Sequence, residues 1–237
     1  MELLIVGMGP GDPKLVTVAG LEALKAATLV VVPQTVKTDG TLLPLGRAEE
    51  MVLFHRPDAP LMKVPVPMTR DAAKRDAGFI AELKKSEDRW KGHRQILLPV
   101  LGDPMLYATT TYLARCWAKL CPIEVRVIPG VSAHSYLAST LDVDLALDDE
   151  IFSVIPGSAP REKVRAMLEH STVAACYKTA SHKDFGDLIK ETGPWKIWRG
   201  DDLATSNQVI VEGEEALLDA RPYMSTFLLR KDGDHDA

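Results

Sequence analysis

Four apolar residues, Leu3-Leu4-Ile5-Val6, run unbroken into Gly7 and a Gly/Pro loop, after which residues 17–27 turn Ala/Leu-rich with Val18, Leu21 and Leu24 on one helical face. A second apolar run, 29–32, stops at Pro33. Strand, helix, strand in this order predicts a parallel sheet with a helical crossover. Residues 34–60 show no periodicity and scatter Gly40, Pro44, Pro57 and Pro60, so they read as a long loop, which in a compact domain is usually functional or mobile. Ala73, Ala77, Ile80, Ala81 and Leu83 predict a charged helix over 69–90. A buried-type strand at 96–100, a helix over 105–120 and a strand at 123–128 follow, and after Pro129-Gly130 comes a short Ala/Ser-rich helix. Five acidic residues gather in 141–150, which marks a lobe boundary and divides the chain into 1–145 and 146–237. The pattern then restarts with a strand at 151–155, a helix at 161–168, a strand at 173–177 and a helix at 183–190. Further strands fall at Ile197, 208–211 and 227–229. These last strands are too close together for helical crossovers, so the second lobe is α/β with a mixed sheet, whereas the first is mostly parallel.

Charge narrows the partners. The chain of 237 residues carries a net charge of −5 with a pI near 5.7, which disfavours a nucleic-acid partner. Residues 37–94 nevertheless hold twelve Lys/Arg against nine Asp/Glu. That local excess is either a solvated surface or a place for a polyanionic small molecule. Three cysteines without a CxxC pair indicate neither a disulfide framework nor a zinc site, and no histidine pair has metal-ligand spacing. With no basic leader and no apolar run of membrane length, the expectation is a cytoplasmic protein without a membrane partner.

The loop Gly7-Met8-Gly9-Pro10-Gly11-Asp12-Pro13 lies where α/β sheets place ligands, and its spacing fits a ligand loop and a tight turn equally. A dinucleotide fingerprint would need glycine at position 12, which is aspartate, and a Rossmann-type methyltransferase would offer a carboxylate where Pro33 stands. In register with this loop come Leu101-Gly102-Asp103-Pro104-Met105-Leu106-Tyr107, then Ile128-Pro129-Gly130-Val131-Ser132-Ala133, then Arg221-Pro222-Tyr223-Met224-Ser225. Together with Val6 to Thr17, these four segments resemble the signatures of the tetrapyrrole (corrin/porphyrin) methylase family, and they span nearly the whole chain. Pro65-Val66-Pro67-Met68-Thr69-Arg70-Asp71 and the ending Pro-Tyr-x-Ser resemble the branch that methylates C-20 of precorrin-2 or cobalt-precorrin-2.

That resemblance implies a homodimer of two-lobed α/β chains with S-adenosylmethionine folded between the lobes. Carried over by motif, Pro10, Leu101, Gly102, Asp103, Leu106, Ser132, Ala133 and Lys178 would contact the cofactor, with Tyr107 and Met224 beside them. Methyl transfer from a sulfonium to an electron-rich carbon needs no protein nucleophile, so alignment and exclusion of water carry the catalysis and no catalytic residue is assigned. The substrate implied is a tetrapyrrole bearing eight carboxylates, for which Lys37 and Arg47 in the basic segment are the candidate contacts. Any cobalt would arrive with the macrocycle. His134 either faces the ligand or is a hydrogen-bonded structural residue. The other readings are methylation at a different corrin carbon, uroporphyrinogen methylation, modification of a diphthine precursor, and a non-catalytic tetrapyrrole carrier.

Overall fold

The computed structural model describes residues 1–35, 46–66, 69, 71–182, 184–218 and 222–232. The chain forms two compact units, Met1–Ser132 and Ala133–Ala237, so the acidic 141–150 stretch belongs to the second.

In the first unit, β1 (Glu2–Gly7), β2 (Leu29–Thr35), β3 (Leu61–Val66), β4 (Gln95–Val100) and β5 (Glu124–Ile128) form one sheet in the order β3-β2-β4-β1-β5. All its pairings are parallel. The crossovers are helical: α1 (Val18–Ala26), α2 (Arg47–His55), α3 (Ala72–Lys85) with the short α4 (Glu87–Trp90), and α5 (Thr109–Trp117). Alternation along β1 divides its side chains between two cores. Leu3 and Ile5 pack in a cluster with Phe79, Leu83, Leu113 and Trp117. Leu4 and Val6 pack in another with Leu24, Met51 and Val52. A sheet covered on both faces explains why its central strands read as continuous apolar runs and not as alternation.

Two expectations are corrected here, and one strand is added. Residues 47–55 of the presumed loop form α2, with Glu49 and Glu50 in its first turn and Met51 and Val52 buried; the flanking prolines and glycines hide a nine-residue helix. Residues 61–66 form β3, whose Met62, Val64 and Val66 are buried in strict alternation. Pro65 fits because β3 is an edge strand, and Pro33 continues β2 because the pairing of β2 with β4 ends at Val30. The helix expected over 69–90 is two, separated at Ser86, whose hydroxyl donates to the Glu82 carbonyl at 2.8 Å.

In the second unit, α6 (Ala133–Leu141) precedes β6 (Phe152–Pro156), α7 (Arg161–Glu169), β7 (Val173–Tyr177), α8 (Phe185–Thr192), β8 (Trp195–Asp201), β9 (Val209–Glu212) and β10 (Ser225–Lys231). The strand order is β6-β7-β10-β8-β9, with β6 and β7 parallel and the remaining pairs antiparallel, giving the mixed sheet expected. Phe185, Leu188, Ile189 and Phe227 are fully buried in the core built around α7 and α8.

Candidate functional site

Three loops of the first unit leave the carboxyl ends of the adjacent strands β4, β1 and β5, which is where a parallel sheet presents ligands. Glycine lets them meet backbone to backbone. A Cβ on Gly7 would stand 2.5 Å from the Gly130 nitrogen and 2.8 Å from the Gly102 oxygen. A Cβ on Gly130 would stand 2.4 Å from that same oxygen. The Gly102 amide donates to the Gly9 carbonyl at 2.7 Å and Met8 donates to Val100 at 2.8 Å, so the loops after β1 and β4 continue as a short antiparallel bridge beyond the parallel sheet.

Gly102 itself behaves differently. Its φ is +74°, a left-handed conformation suited to glycine, and a Cβ there would find nothing closer than the Val131 oxygen at 4.0 Å. The chain is therefore packed solid at Gly7 and Gly130 and open at Gly102. Gly102 is buried, and room for a Cβ-sized group lies beside its main chain. Asp103, expected to face a ligand, accepts from Met105 N at 2.8 Å with one oxygen and from Gly130 N at 3.1 Å with the other. Its carboxylate thus ties the β4 loop to the β5 loop, and further lone pairs of the two oxygens can still accept bonds.

The remaining candidates of the first unit flank this stack. Pro10 is buried, Leu101 and Leu106 are half-buried, and Ser132 is buried at the end of the β5 loop. Tyr107 is exposed and held at φ 54°, and Met105 is 71% exposed, so the segment after Asp103 presents apolar surface to solvent. Arg47 is half-buried at the first residue of α2. The other end of α2 is pinned to the first loop, where His55 Nε2 lies 2.9 Å from the Pro13 carbonyl. Arg47 stands roughly 12 Å from His55 along the helix axis, at 1.5 Å per residue. Lys37 lies outside the described residues. Several other basic groups of the 37–94 segment are bound within the protein. Arg56 donates to the Leu24 and Ala27 carbonyls at 2.9 and 2.8 Å, and Lys63 pairs with the buried Glu49 at 2.9 Å.

The second unit brings its own candidates together at one edge of its sheet. Lys178 follows Tyr177 directly, and Tyr177 pairs with Thr226 of β10, two residues past Met224. Ala133 begins α6, whose next residue, His134, takes a hydrogen bond from the Tyr177 hydroxyl or gives one to it across 2.8 Å, while its amide donates to the same oxygen at 3.1 Å. His134 is thus a structural residue that fixes the start of α6 to the end of β7. Backbone strain gathers here: Lys178, Asp202 and Ala204 have φ of 57°, 50° and 59°. Among the described residues, Thr179 Oγ1 and Asp201 Oδ1 at this edge are buried without a hydrogen-bond partner. Such atoms call for a bound group or water. Sequence reasoning singled out neither Thr179 nor Asp201, and only the register that places the ends of β7, β8 and β10 side by side reveals them. No group of three metal-ligating side chains occurs among the described residues, and no helix of theirs is long and apolar enough to cross a membrane.

Comparison with known proteins bears on the family and the fold. The model of the tetrapyrrole (corrin/porphyrin) methylases matches residues 2–218. A precorrin-2 C(20)-methyltransferase of Sinorhizobium is 28% identical over 185 residues, covering 75% of this chain and 73% of its own. The cobalamin biosynthesis protein CobIJ of Mycobacterium tuberculosis is 26% identical over 197 residues, 79% of this chain, and the match spans only 37% of that protein. A cobalt-precorrin-4 C(11)-methyltransferase of Priestia megaterium is 24% identical over 76% of this chain and 65% of its own. Among solved structures, a cobalamin synthesis related protein (CobF) of Corynebacterium diphtheriae superposes with a TM-score of 0.75 at 21% identity, covering 98% of this chain and 99% of that one. A uroporphyrin-III C-methyltransferase of Thermus thermophilus, in complex with S-adenosylhomocysteine, has a TM-score of 0.68 at 19% identity, with 97% of each chain covered.

Proposed function

Because the chain belongs to the tetrapyrrole (corrin/porphyrin) methylases, we propose that it methylates C-20 of precorrin-2 or its cobalt complex, using S-adenosylmethionine, as a cytoplasmic homodimer in cobalamin biosynthesis. The observation that carries the cofactor reading is the Gly102 position, where three glycine-locked loops meet and leave room beside one stretch of left-handed main chain. Pro10, Leu101, Gly102, Asp103, Leu106, Tyr107 and Ser132 are the cofactor contacts of the first unit in this reading, and Ala133, Lys178 and Met224 those of the second. The choice of C-20 is supported by the Sinorhizobium relative, whereas the Priestia relative named for C-11 favours a different carbon as the second reading.

S-adenosylmethionine supplies an electrophilic methyl group, so the protein's work is positioning. The open main chain at Gly102 and the anchored Asp103 hold one reactant against a rigid sheet edge, and a fixed approach geometry lowers the entropic part of the barrier. The apolar surface of Met105 and Tyr107 favours a site from which water is excluded. Arg47, with Lys37, is assigned to the substrate carboxylates. No side chain is required as a nucleophile, and the proton lost from the methylated carbon can pass to water or to a substrate carboxylate.

The test is incubation of the protein with methyl-labelled cofactor and, separately, precorrin-2, cobalt-precorrin-2, cobalt-precorrin-4 and uroporphyrinogen III, with products read by mass spectrometry. One labelled methyl on a precorrin-2 substrate is the expected result. Transfer only to one of the other two overturns the C-20 reading, and transfer to none overturns the enzyme reading.

A further inference from the structure

The outer strand β5 stands apart from the rest of the first sheet. Its neighbour β1 is buried from Leu3 to Gly7, whereas Glu124, Val125, Arg126 and Val127 of β5 are all exposed, the two valines by 41% and 39%. Its inner side is spent on β1, with the Glu124 amide donating to the Met1 carbonyl at 3.1 Å. Both main-chain polar groups of an extended residue point to the same side, and successive residues alternate. Glu124 and Arg126 therefore face β1, and Val125 and Val127 direct their N–H and C=O groups out of the sheet. Such an edge is a template for another strand.

We propose that β5 pairs antiparallel with β5 of a second copy of this chain about a two-fold axis at Val125, joining the two first-unit sheets into one. This deepens the homodimer reading above by giving it a surface and a register. Only residues whose polar groups face outward can exchange hydrogen bonds, and registers centred on 127 or 128 set an outward-facing valine opposite Pro129, which has no N–H, so the registers left within β5 centre on position 124, 125 or 126. Centring on 124 sets Glu124 against its own copy, and centring on 126 sets Arg126 against its own copy. Both place like charges directly opposite, which is destabilising. Centring on 125 sets Glu124 of each chain opposite Arg126 of the other and Val125 opposite Val125. The charged pair falls at the non-hydrogen-bonded position, where side chains come closest. Arg126 already donates to Glu2 at 2.8 Å, and Glu2 lies beside Glu124 in register. One face of each chain thus carries two carboxylates to one guanidinium, and in this register each Arg126 stands between its own Glu2 and the second copy's Glu124. The self-complementary order Glu-Val-Arg on an exposed edge is what selects a second copy as the occupant.

Sedimentation equilibrium at micromolar concentration tests this with the full chain, Glu124→Arg, Arg126→Glu, their equimolar mixture and the double variant. The wild type is expected at twice the 26.0 kDa chain mass. Each single reversal places like charges opposite and is expected at one chain mass. The mixture and the double variant restore opposite charges and are expected to return to two. A monomeric wild type would overturn the homodimer itself. Single variants that remain dimeric, or a mixture that remains monomeric, would leave the homodimer standing and overturn this interface. Should circular dichroism show either reversal to be misfolded, Glu124→Gln and Arg126→Gln replace them. Both are then expected to raise the dimer dissociation constant several-fold, and an unchanged constant overturns the register.

Discussion

At Gly102 the backbone is left-handed while the space for a side chain stays open, so a substitution there reports on ligand contact more than on packing. Gly102→Val adds strain of about 1–3 kcal/mol from its φ alone and fills the open space. The expected outcome is at least a tenfold loss of S-adenosylhomocysteine affinity by calorimetry, in a protein that still folds; unchanged affinity would remove this loop from the site. Gly130 is the contrasting position, since its Cβ would collide with the Gly102 oxygen and the fold would suffer first. The sequence showed the Gly-Asp-Pro motif and the conformational use of its glycine, but not what Asp103 holds. A carboxylate in a loop looks the same in sequence whether or not it also holds two loop amides, as Asp103 does. His134 is the parallel case, and its bond to Tyr177, 43 residues away, is invisible to any local pattern.

Elements were legible where burial and periodicity agree. The runs that became β1, β4 and β7 are continuous because both faces of each strand are covered, and α3 announces itself by spacing and by its Asp71 cap, which accepts from Ala73 N and Lys74 N. α2 and β3 were not legible, because Pro57, Pro60 and Pro65 are the usual marks of a loop and are tolerated here by a strand edge and a crossover. The edge between β1 and β5 carries its own prediction. Glu2 accepts from Gln95 at 2.7 Å and from Arg126 at 2.8 Å, and these bonds hold its carboxyl below the ordinary glutamate range, the Gln95 bond most. A depressed folded-state value means stabilisation that is present above the unfolded glutamate range and is lost as pH falls through the folded one. Glu2→Gln should therefore be less stable than the wild type at neutral pH, by the roughly 0.2–1 kcal/mol typical of exposed pairs. In chemical denaturation the two should converge in strong acid; a difference that persists there would assign the effect to packing.

For the whole molecule, the proposed function requires an acidic chain with a basic segment to hold a polyanion. The net charge of −5 would repel a tetrapyrrole with eight carboxylates unless local positive charge opposes it. Lys37 and Arg47 are the groups proposed for that task. Each exposed contact contributes about 0.2–1 kcal/mol, so changing both to Ala should weaken tetrapyrrole binding several-fold, most at low salt, and leave S-adenosylhomocysteine affinity intact. Equal macrocycle binding by the double variant at low ionic strength would make these residues solvated surface. The central claim, however, is the carbon that receives the methyl, and carbon NMR of the product formed from precorrin-2 with cofactor carrying a 13C methyl tests it most directly. The predicted result is a single enriched methyl attached to the C-20 bridge carbon; enrichment at any other position, or none, would contradict it.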